Sequence, residues 1–405
     1  MRKSKAVLNQ SLITELQEQL LIDDPDLTQL YERIRTKHEF SVNETRTLIN
    51  QVVSQLNERI FPPITKMELI HTEGCNLGCT YCFEKNMLGF KKMPKEIALR
   101  AIDLLFEYSR DESHLSITHF GGEPTLNFQA IQYTTEYAEA LAKKMNKTVE
   151  FHMTSNGVLI TEEMAKYFSK HNIMVLLSCD GLQQSHDRFR QDKGGRGTFE
   201  RVMKCINLLK RTQRWVGVKM TVMPENVDNL YKDVVGLFEK GVNHFIIGYA
   251  TGIKWSKAEM KLYGERLNQL YKWYQEIPRD RLKIDEFENL GSDSFFGCQA
   301  GRNSISVTIN GEVSPCSKIL AMNNKNLLAK LGDVYNGLTH VRNRYELNSC
   351  SRLRSACHEQ GIANEFQGGC FATNYEENLD LFQPNLQDHT FSLIKRSACS
   401  GCSGL

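Results

Sequence analysis

Between residue 66 and about residue 277, short β-rich runs alternate with helical patterns, and this alternation constrains the fold more than any other feature of the sequence. Six such runs occur, each followed by a segment long enough to cross back over a sheet: Lys66 to Thr72, Leu115 to Phe120, Thr148 to Thr154, Ile173 to Cys179, Trp215 to Val222 and His244 to Tyr249. Repeated βα units form parallel sheets, so the pattern predicts either a partial barrel or a doubly wound sheet. In both architectures the functional groups gather at the carboxyl ends of the strands.

The first 65 residues show a helical pattern instead. Ser41 and Glu44 have the spacing of a helix capping box, and an apolar stripe at four-residue spacing follows from Leu48 to Ile60. No strand pattern precedes Phe61. We therefore expect residues 1–65 to form a helical cap or an element that docks a peptide or a partner protein.

The end of the chain differs from both preceding regions. After about residue 290 the periodicity fades while glycine and cysteine become more frequent, and Asn310-Gly311 predicts a hairpin over Ser304 to Pro315. We therefore expect an α/β core domain over residues 66–285. A smaller domain over residues 286–405 would then be organised by bound metal rather than by a hydrophobic core.

The charge balance and the hydropathy limit the classes of partner. The net charge is +2 over 405 residues, so no overall field attracts the protein to nucleic acid or to an anionic membrane. No apolar run approaches the ~18 residues that a membrane span needs, and the amino terminus turns polar before a signal-peptide core can form. The sequence therefore predicts a cytoplasmic protein with no nucleic-acid or membrane partner.

Twelve cysteines are unexpected in such a protein, because the cytosol keeps thiols reduced and gives no use for a disulfide framework. The cysteines fall into two groups, and metal binding or chemistry is the expected use of both. The first group is Cys75, Cys79 and Cys82. The second group is Cys298, Cys316, Cys350, Cys357, Cys370, Cys399 and Cys402. Cys179 and Cys205 stand apart, and we interpret them as small buried apolar residues.

The first group supplies three thiolates on one short loop after a strand. Iron–sulfur cubanes normally take four cysteines, and a catalytic metal site keeps one coordination position open. Three ligands therefore indicate a cubane with one exposed iron. A zinc site completed by His71, Glu84 or a distant thiol is the structural alternative.

The stretch CNLGCTYC resembles the CxxxCxxC signature of the radical S-adenosylmethionine (SAM) superfamily. This resemblance implies a partial (βα)6 barrel and a [4Fe–4S] cluster whose open iron is chelated by SAM. Reductive cleavage of SAM then yields a 5′-deoxyadenosyl radical that abstracts hydrogen. The tetrapeptide Gly121-Gly122-Glu123-Pro124 matches the GGEP element of the family, in which the glycines permit a close backbone approach and Glu123 offers an anion to an ammonium group.

Two later stretches extend the resemblance. Ser155-Asn156-Gly157 and LSCDGLQQSHDRFR look like the third and fourth strand ends of the family, where polar groups meet the ribose and an arginine pairs with the SAM carboxylate. The residues that the resemblance assigns to SAM in these stretches and beside the third cysteine are Tyr81, Ser155, Ser178, Asp180 and Arg190.

The second cysteine group resembles the SPASM extension, a carboxy-terminal domain that carries auxiliary iron–sulfur clusters. Cys298, Gly311 and Cys316 fit its opening Cys-x12-Gly-x4-Cys, but the later cysteines around Cys370 depart from its spacing. Two complete auxiliary cubanes and the SAM cluster need eleven ligands, whereas the two groups supply ten cysteines. We therefore expect one or two auxiliary clusters, with Cys399 or Cys402 as a ligand.

The resemblance implies a maturase of a ribosomally made peptide, which installs a cross-link, a thioether or an epimerised residue. Its partners would be a precursor peptide and a low-potential electron donor such as flavodoxin or ferredoxin. An anaerobic sulfatase maturase is the alternative within the family, although those enzymes carry an Asp where this chain has Ser317. A non-catalytic binding protein stabilised by metal is the alternative from another class.

Overall fold

The computed structural model describes residues 10–22, 27–213, 215–288, 298–322, 327–362, 366 and 368–400. The amino-terminal region is helical, as the sequence predicts, and its helices are α1 (Gln10–Ile22), α2 (Leu27–His38) and α3 (Val42–Ile60). The predicted capping box begins α3. The backbone N–H of Glu44 donates to Ser41 Oγ (3.3 Å), and the backbone N–H of Ser41 donates to the Glu44 carboxylate (2.9 Å).

These three helices bury a small core of their own, which includes Leu16, Leu30 and Val52, and Val341 from the end of the chain completes it. The fully buried Arg344 ties the same two regions together. Its guanidinium donates to Asn57 Oδ1 (2.7 Å) and to the carbonyls of Pro62 (2.6 Å) and Arg302 (3.1 Å). The amino-terminal helices are therefore docked on the carboxy-terminal region.

All six predicted strands are present, each within two residues of its predicted limits. They are β1 (Lys66–Ile70), β2 (His114–Phe120), β3 (Thr148–Ser155), β4 (Ile173–Ser178), β5 (Gly217–Val222) and β6 (His244–Tyr249). The helices between and after them are α4 (Lys95–Tyr108), α5 (Phe128–Lys144), α6 (Glu162–Lys170), α7 (Gln183–Phe189), α8 (Phe199–Thr212), α9 (Leu230–Glu239) and α10 (Lys257–Gln275). In the part of the chain that the structure describes, no helix is long and apolar enough to cross a membrane.

The strand order decides between the two predicted architectures. Strands β1 to β6 are hydrogen-bonded in sequence order, and every neighbouring pair is parallel. A doubly wound sheet reverses its winding at a central strand and so departs from sequence order. Sequential right-handed crossovers instead keep the helices on one face and curl the sheet. The fold is therefore the partial barrel, with the lumen on the other face.

The carboxy-terminal region extends this sheet. Its elements are β7 (Lys283–Ile284), α11 (Asp285–Glu288), β8 (Ser304–Val307), β9 (Glu312–Ser314), α12 (Ser317–Leu320), β10 (Gly332–Asp333), α13 (Val341–Asn348), α14 (Cys350–Glu359), α15 (Phe371–Asn378) and α16 (Leu386–Ser400). The predicted hairpin is confirmed, because β8 and β9 pair antiparallel around Gly311, whose φ is +84°. Strand β8 also pairs parallel with β1, which the sequence did not predict.

The expectation that the last domain lacks a hydrophobic core was wrong. Val307, Phe371 and Phe391 are almost fully buried, and they belong to the same buried cluster as Leu69 and Phe151 of the barrel. The apolar residues after residue 290 are separated by long polar stretches, so they show no local periodicity, and only the folded chain brings them together.

Candidate active site

The three cysteines of the first group lie on one loop at the carboxyl end of β1, and residues 75–82 are called the cysteine loop below. Backbone hydrogen bonds fix this loop to the segment that follows α7, with the N–H of Gly78 donating to the Gln191 carbonyl (2.8 Å) and the N–H of Thr80 to the Phe189 carbonyl (3.1 Å). The thiols are half-buried. The loop is therefore held at the edge of the sheet where the sequence predicts the site.

Partial burial makes these thiols reluctant to ionise without a cation. Desolvation raises the pKa of Cys75 to about 12 and that of Cys82 to about 11. Iron held by these three thiols would reverse this preference, because its charge would stabilise the thiolates. In the described ranges, no three Cys, His, Asp or Glu side chains are close enough together to hold a single metal ion.

The proposed completion of a zinc site by His71 or Glu84 finds no support. His71 is fully buried, and its Nε2 shares a hydrogen bond with His119 Nδ1 (2.8 Å), whose other ring nitrogen contacts Thr135 Oγ1 (3.1 Å). Glu84 is buried, and burial, followed by the nearby Glu68 and Glu123, raises its pKa to about 8. Glu84 favours its neutral form and is a poor zinc ligand. His71 keeps its Nδ1 without a hydrogen-bond partner, but it joins no group of three metal-ligating side chains in the described ranges.

The two glycines of the GGEP element let the end of β2 contact the backbone just before the cysteine loop. Gly121 has a φ of +127°, and a Cβ there would lie 2.5 Å from the Thr72 carbonyl oxygen. A Cβ at Gly122 would lie 2.4 Å from the Gly74 carbonyl oxygen. The backbone N–H of Gly122 donates to Thr72 (3.1 Å) and that of Glu123 donates to Gly74 (2.8 Å). The close approach is therefore between two backbone segments and positions the residues that precede Cys75.

Glu123 joins the ends of β2 and β3. One carboxylate oxygen accepts hydrogen bonds from the Ser155 hydroxyl (2.8 Å) and from the N–H (3.1 Å) and hydroxyl (2.6 Å) of Thr125, and the other accepts the N–H of Asn156 (2.8 Å). Pro124 follows as the first residue of a short 3-10 turn. The side chains of Glu123 and Ser155 thus support each other, and their contacts with SAM stay predictions.

Asp180 and Arg190 form a buried ion pair beside the cysteine loop. Arg190 Nε donates to Asp180 Oδ2 (2.9 Å), and the same oxygen accepts the Tyr81 hydroxyl. The backbone N–H of Thr221 donates to Asp180 Oδ1 (2.9 Å). The guanidinium also hydrogen bonds with the Cys79 thiol and lies 5.3 Å from the centre of the Tyr81 ring. The structure therefore brings these four sequence-predicted residues together.

Ser178 has fewer contacts than these four residues. It ends β4 and is half-buried, one position before the buried Cys179. Sequence reasoning did not assign a role to Asn156, whose amide donates to Asn76 Oδ1 (2.9 Å) and lies 4.0 Å from the Cys75 sulfur. The signal was present, because Asn156 directly follows Ser155 in the Ser-Asn-Gly stretch.

A second group that sequence reasoning missed faces the lumen of the barrel. Glu68, in the middle of β1, accepts a hydrogen bond from Ser306 Oγ on β8 (2.7 Å), and the hydroxyl and backbone N–H of Ser317 also bond to it. Burial raises the pKa of Glu68, and Lys219 of β5 acts in the opposite direction. The available signal was a charged residue inside each of two otherwise apolar strand patterns.

The structure gathers Cys298, Cys316 and Cys370 from the second group, and these three are called the thiol trio below. Cys316 immediately precedes α12 and Cys370 immediately precedes α15, and the Cys316 thiol accepts the N–H of Ile319 (3.3 Å). The Cys298 thiol bonds with the N–H of Phe371. Burial is the largest cause of the raised pKa values of Cys298 and Cys316, and Cys370 adds to both.

The other cysteines of that group lie elsewhere or outside the description. Cys357 is buried within α14, and Cys399 is buried on α16, whose carboxy-terminal part packs on α10. The part of α16 near the trio is Asp388, which accepts a hydrogen bond from Thr373. Cys399 lies eleven residues further along this helix, or about 16 Å away. Cys399 therefore lies apart from the trio, and a role for Cys399 or Cys402 as a cluster ligand stays a prediction. The Cys350 side chain and Cys402 lie outside the described residues.

Cys179 and Cys205 are buried at 0% and 3% exposure within the main core, which confirms their interpretation as small apolar residues.

Comparison with known proteins identifies the central domain. The model of the radical SAM superfamily matches residues 69–238. The cysteine-type anaerobic sulfatase-maturating enzyme of Clostridium novyi (strain NT) is 30% identical over 172 residues, which are 40% of this chain and 45% of that protein. The sporulation killing factor maturation protein SkfB of Bacillus subtilis (strain 168) is 26% identical over 294 residues, 69% of this chain and 66% of that protein. The chain thus spans less than half the length of the Clostridium relative.

A solved structure agrees in fold over most of the chain. Native anSMEcpe with bound AdoMet and the Cp18Cys peptide superimposes with a TM-score of 0.68 at 20% identity, covering 84% of this chain and 97% of that chain. AdoMet is SAM. The shared fold includes the carboxy-terminal extension as well as the barrel. The radical SAM superfamily consists of enzymes that use SAM and a [4Fe–4S] cluster. Its model matches residues 69–238, the part of the chain whose strand ends hold the cysteine loop. This chain therefore carries a radical SAM domain.

Proposed function

We propose that this protein is a peptide maturase. It cleaves SAM reductively to a 5′-deoxyadenosyl radical and removes a hydrogen atom from a ribosomally made peptide, to install a cross-link, a thioether or an epimerised residue. One observation carries the proposal. The cysteine loop, the GGEP element and the Asp180–Arg190 pair converge at the carboxyl ends of neighbouring strands, where a barrel holds its reacting groups.

The residues present fit the cluster and SAM. Cys75, Cys79 and Cys82 would hold a [4Fe–4S] cluster through three thiolates, and that cluster supplies the electron for SAM cleavage. Arg190 offers a guanidinium to a carboxylate, and Asp180 fixes its orientation through Nε. Burial of this ion pair removes competing water and so strengthens the attraction for an anionic ligand.

The lumen of the barrel is the proposed site of the peptide. Glu68 and Lys219 give it one carboxyl and one ammonium group, from strands β1 and β5. Such groups hydrogen bond with peptide N–H and C=O groups, whereas a purely apolar lumen would leave those groups unsatisfied. The likeness in fold to anSMEcpe, whose structure holds a bound peptide, supports a peptide substrate.

The thiol trio supports at least one auxiliary cluster. Cys298, Cys316 and Cys370 are half-buried, and they are close enough that Cys370 helps to raise the pKa of Cys298 and that both help to raise the pKa of Cys316. Their distance from Cys399 favours one auxiliary cluster with three cysteine ligands in the described region. A second cluster would need cysteines outside it.

Sulfatase maturation is the second candidate, and two observations favour it. Sulfatase maturases carry an Asp at the position of Ser317, and here the Ser317 hydroxyl bonds to the Glu68 carboxyl. A carboxyl group is therefore present at that place although it comes from β1. The 30% identity with a sulfatase-maturating enzyme points the same way.

The experiment offers both substrates to the same reconstituted enzyme. Anaerobic protein with SAM and reductant is incubated with a precursor peptide encoded beside the gene and, separately, with a sulfatase-derived peptide that bears the Cys or Ser motif. We expect a mass change only in the precursor peptide. Formylglycine in the sulfatase peptide would establish the second candidate, and Glu68→Gln would then be expected to abolish it.

A further inference from the structure

The segment that follows the cysteine loop runs over the outside of the molecule, and residues 83–95 are called the lysine loop below. It returns to the end of β1, where the N–H of Glu73 donates to the Lys91 carbonyl (3.0 Å) and the N–H of Gly89 donates to the Glu73 carbonyl (3.0 Å). Lys92 also forms a β-bridge with Thr72. The lysine loop is therefore fixed to the backbone just before Cys75.

The exposed charge of the lysine loop has one sign. Its lysines, Lys85, Lys91, Lys92 and Lys95, are all exposed. Its single acidic residue, Glu84, is buried. Among the residues that the structure describes, none of these lysines forms a salt bridge. Two acidic residues border the loop: the Glu73 carboxylate accepts the N–H of Lys91 (3.3 Å), and the exposed Glu96 follows Lys95. Four lysines against these two carboxylates leave a local patch of positive charge on a protein whose net charge is only +2.

An aromatic side chain stands in the middle of this patch. Phe90 is 95% exposed, more than any other large apolar residue of the described ranges. Phe83, by contrast, is 40% exposed and stacks on Phe120 (ring centres 6.4 Å apart). An exposed aromatic ring among lysines has the composition of an interface anchor within a charged rim.

The patch is close to the place where an electron must enter. Glu73 is two residues from Cys75, and its backbone N–H donates to the Lys91 carbonyl. Through this hydrogen bond, the backbone of the lysine loop lies within about 10 Å of Cys75. Electron transfer needs a short path from the surface to the cluster. An electron carrier docked on the lysine loop would have such a short path to the cluster.

We propose that the lysine loop is the docking surface for a small acidic one-electron carrier of low potential, of the flavodoxin or ferredoxin class. The inference rests on the proposed function, because only SAM cleavage calls for this electron. The carrier loses one electron and the cluster held by Cys75, Cys79 and Cys82 gains it, with no bond made or broken in that step. Charge complementarity with exposed lysines suits such weak, fast encounters.

The test compares two charge reversals of equal size. Lys91→Glu/Lys92→Glu changes the lysine loop, and Lys143→Glu/Lys144→Glu changes an equally exposed pair at the end of α5. For each, calorimetry measures the Kd for recombinant flavodoxin at low salt, and 5′-deoxyadenosine formation is measured with reduced flavodoxin and with dithionite. The loop variant should bind flavodoxin about tenfold or more weakly, with a matching loss of flavodoxin-driven product. Its dithionite-driven rate and iron content should equal those of the wild type, as should every value of the control.

Phe90→Ala tests the aromatic anchor without changing charge, and it should weaken flavodoxin binding about threefold to tenfold. Equal Kd values for the two charge-reversed variants would overturn the proposal. A loss in the dithionite assay, or a raised KM for peptide with an unchanged Kd for flavodoxin, would overturn it as well and assign the loop to the cluster or the substrate. Absence of dithionite-driven product in the wild type would instead contradict the proposed function, and calorimetry would still judge the docking surface.

Discussion

The two cysteine groups of this chain are assembled in different ways. Cys75, Cys79 and Cys82 lie within eight consecutive residues, so one loop brings them together. Cys298 and Cys316 meet Cys370 only because β8 and β9 join the barrel sheet and α15 packs beside α12. The first site is thus encoded locally, whereas the second depends on the fold of the whole carboxy-terminal region.

This difference predicts that the second site can be removed without removing the first. Replacing the thiol trio, as Cys298→Ala/Cys316→Ala/Cys370→Ala, should lower iron and sulfide by about one cubane. SAM cleavage should persist because the cysteine loop has its own backbone contacts, while modification of the peptide should be lost. Iron and sulfide analysis with quantification of 5′-deoxyadenosine checks this. Unchanged iron content would mean that the trio holds no cluster.

The docking of the amino-terminal helices on the carboxy-terminal region gives the next largest expected effect. Arg344→Met removes the buried guanidinium and leaves Asn57 and the carbonyl of Pro62 without their donor. The free energy of unfolding should fall by about 3 kcal/mol, the cost of breaking a buried charged network.

Denaturant unfolding measures this change, with Arg352→Met on α14 as the control, because Arg352 is exposed and pairs with Asp380 of the same carboxy-terminal region. An equal, small loss in both variants would show that Arg344 does not hold the two regions together.

At the first site, Arg190→Lys tests whether geometry as well as charge matters. A lysine keeps the positive charge but lacks the planar fork that bonds to Asp180 and reaches Cys79. Affinity for SAM should fall about tenfold, or about 1.4 kcal/mol. Equilibrium binding of SAM to the cluster-loaded protein measures the change. If Arg190→Lys binds SAM as tightly as the wild type, Arg190 serves only to hold Asp180.

Cys399→Ala should have the smallest effect. Its thiol is buried on α16 away from the trio, so the substitution removes one small apolar group and costs about 1 kcal/mol of stability. Iron content should not change, in contrast to Cys316→Ala. Iron loss in Cys399→Ala would restore this residue to the ligand set.

Much of the barrel could be predicted because its signals are local. Each βα unit carries its own apolar run and crossover helix, and the strand limits agree within two residues. The cysteine loop and the hairpin at Gly311 have local signatures of the same kind. For the cysteine loop, three thiols at close spacing were enough to predict a metal site.

The remaining features depend on contacts between distant parts of the chain. Glu68 meets Ser306 across 238 residues, and Arg344 meets Asn57 across 287 residues. Such pairs leave no periodic pattern in the sequence, because each partner alone is indistinguishable from an ordinary polar residue. The role of Glu123 was hidden for a similar reason, since its donors Ser155 and Asn156 come from the end of another strand.

The central claim is that the cysteine loop holds a cluster that cleaves SAM. The most direct measurement compares the anaerobically reconstituted wild type with Cys75→Ala/Cys79→Ala/Cys82→Ala, both given SAM and dithionite, by quantifying 5′-deoxyadenosine. The wild type should form it, and the triple variant should form none while it retains the iron of the thiol trio. Formation of 5′-deoxyadenosine by the triple variant at the wild-type rate would contradict the account.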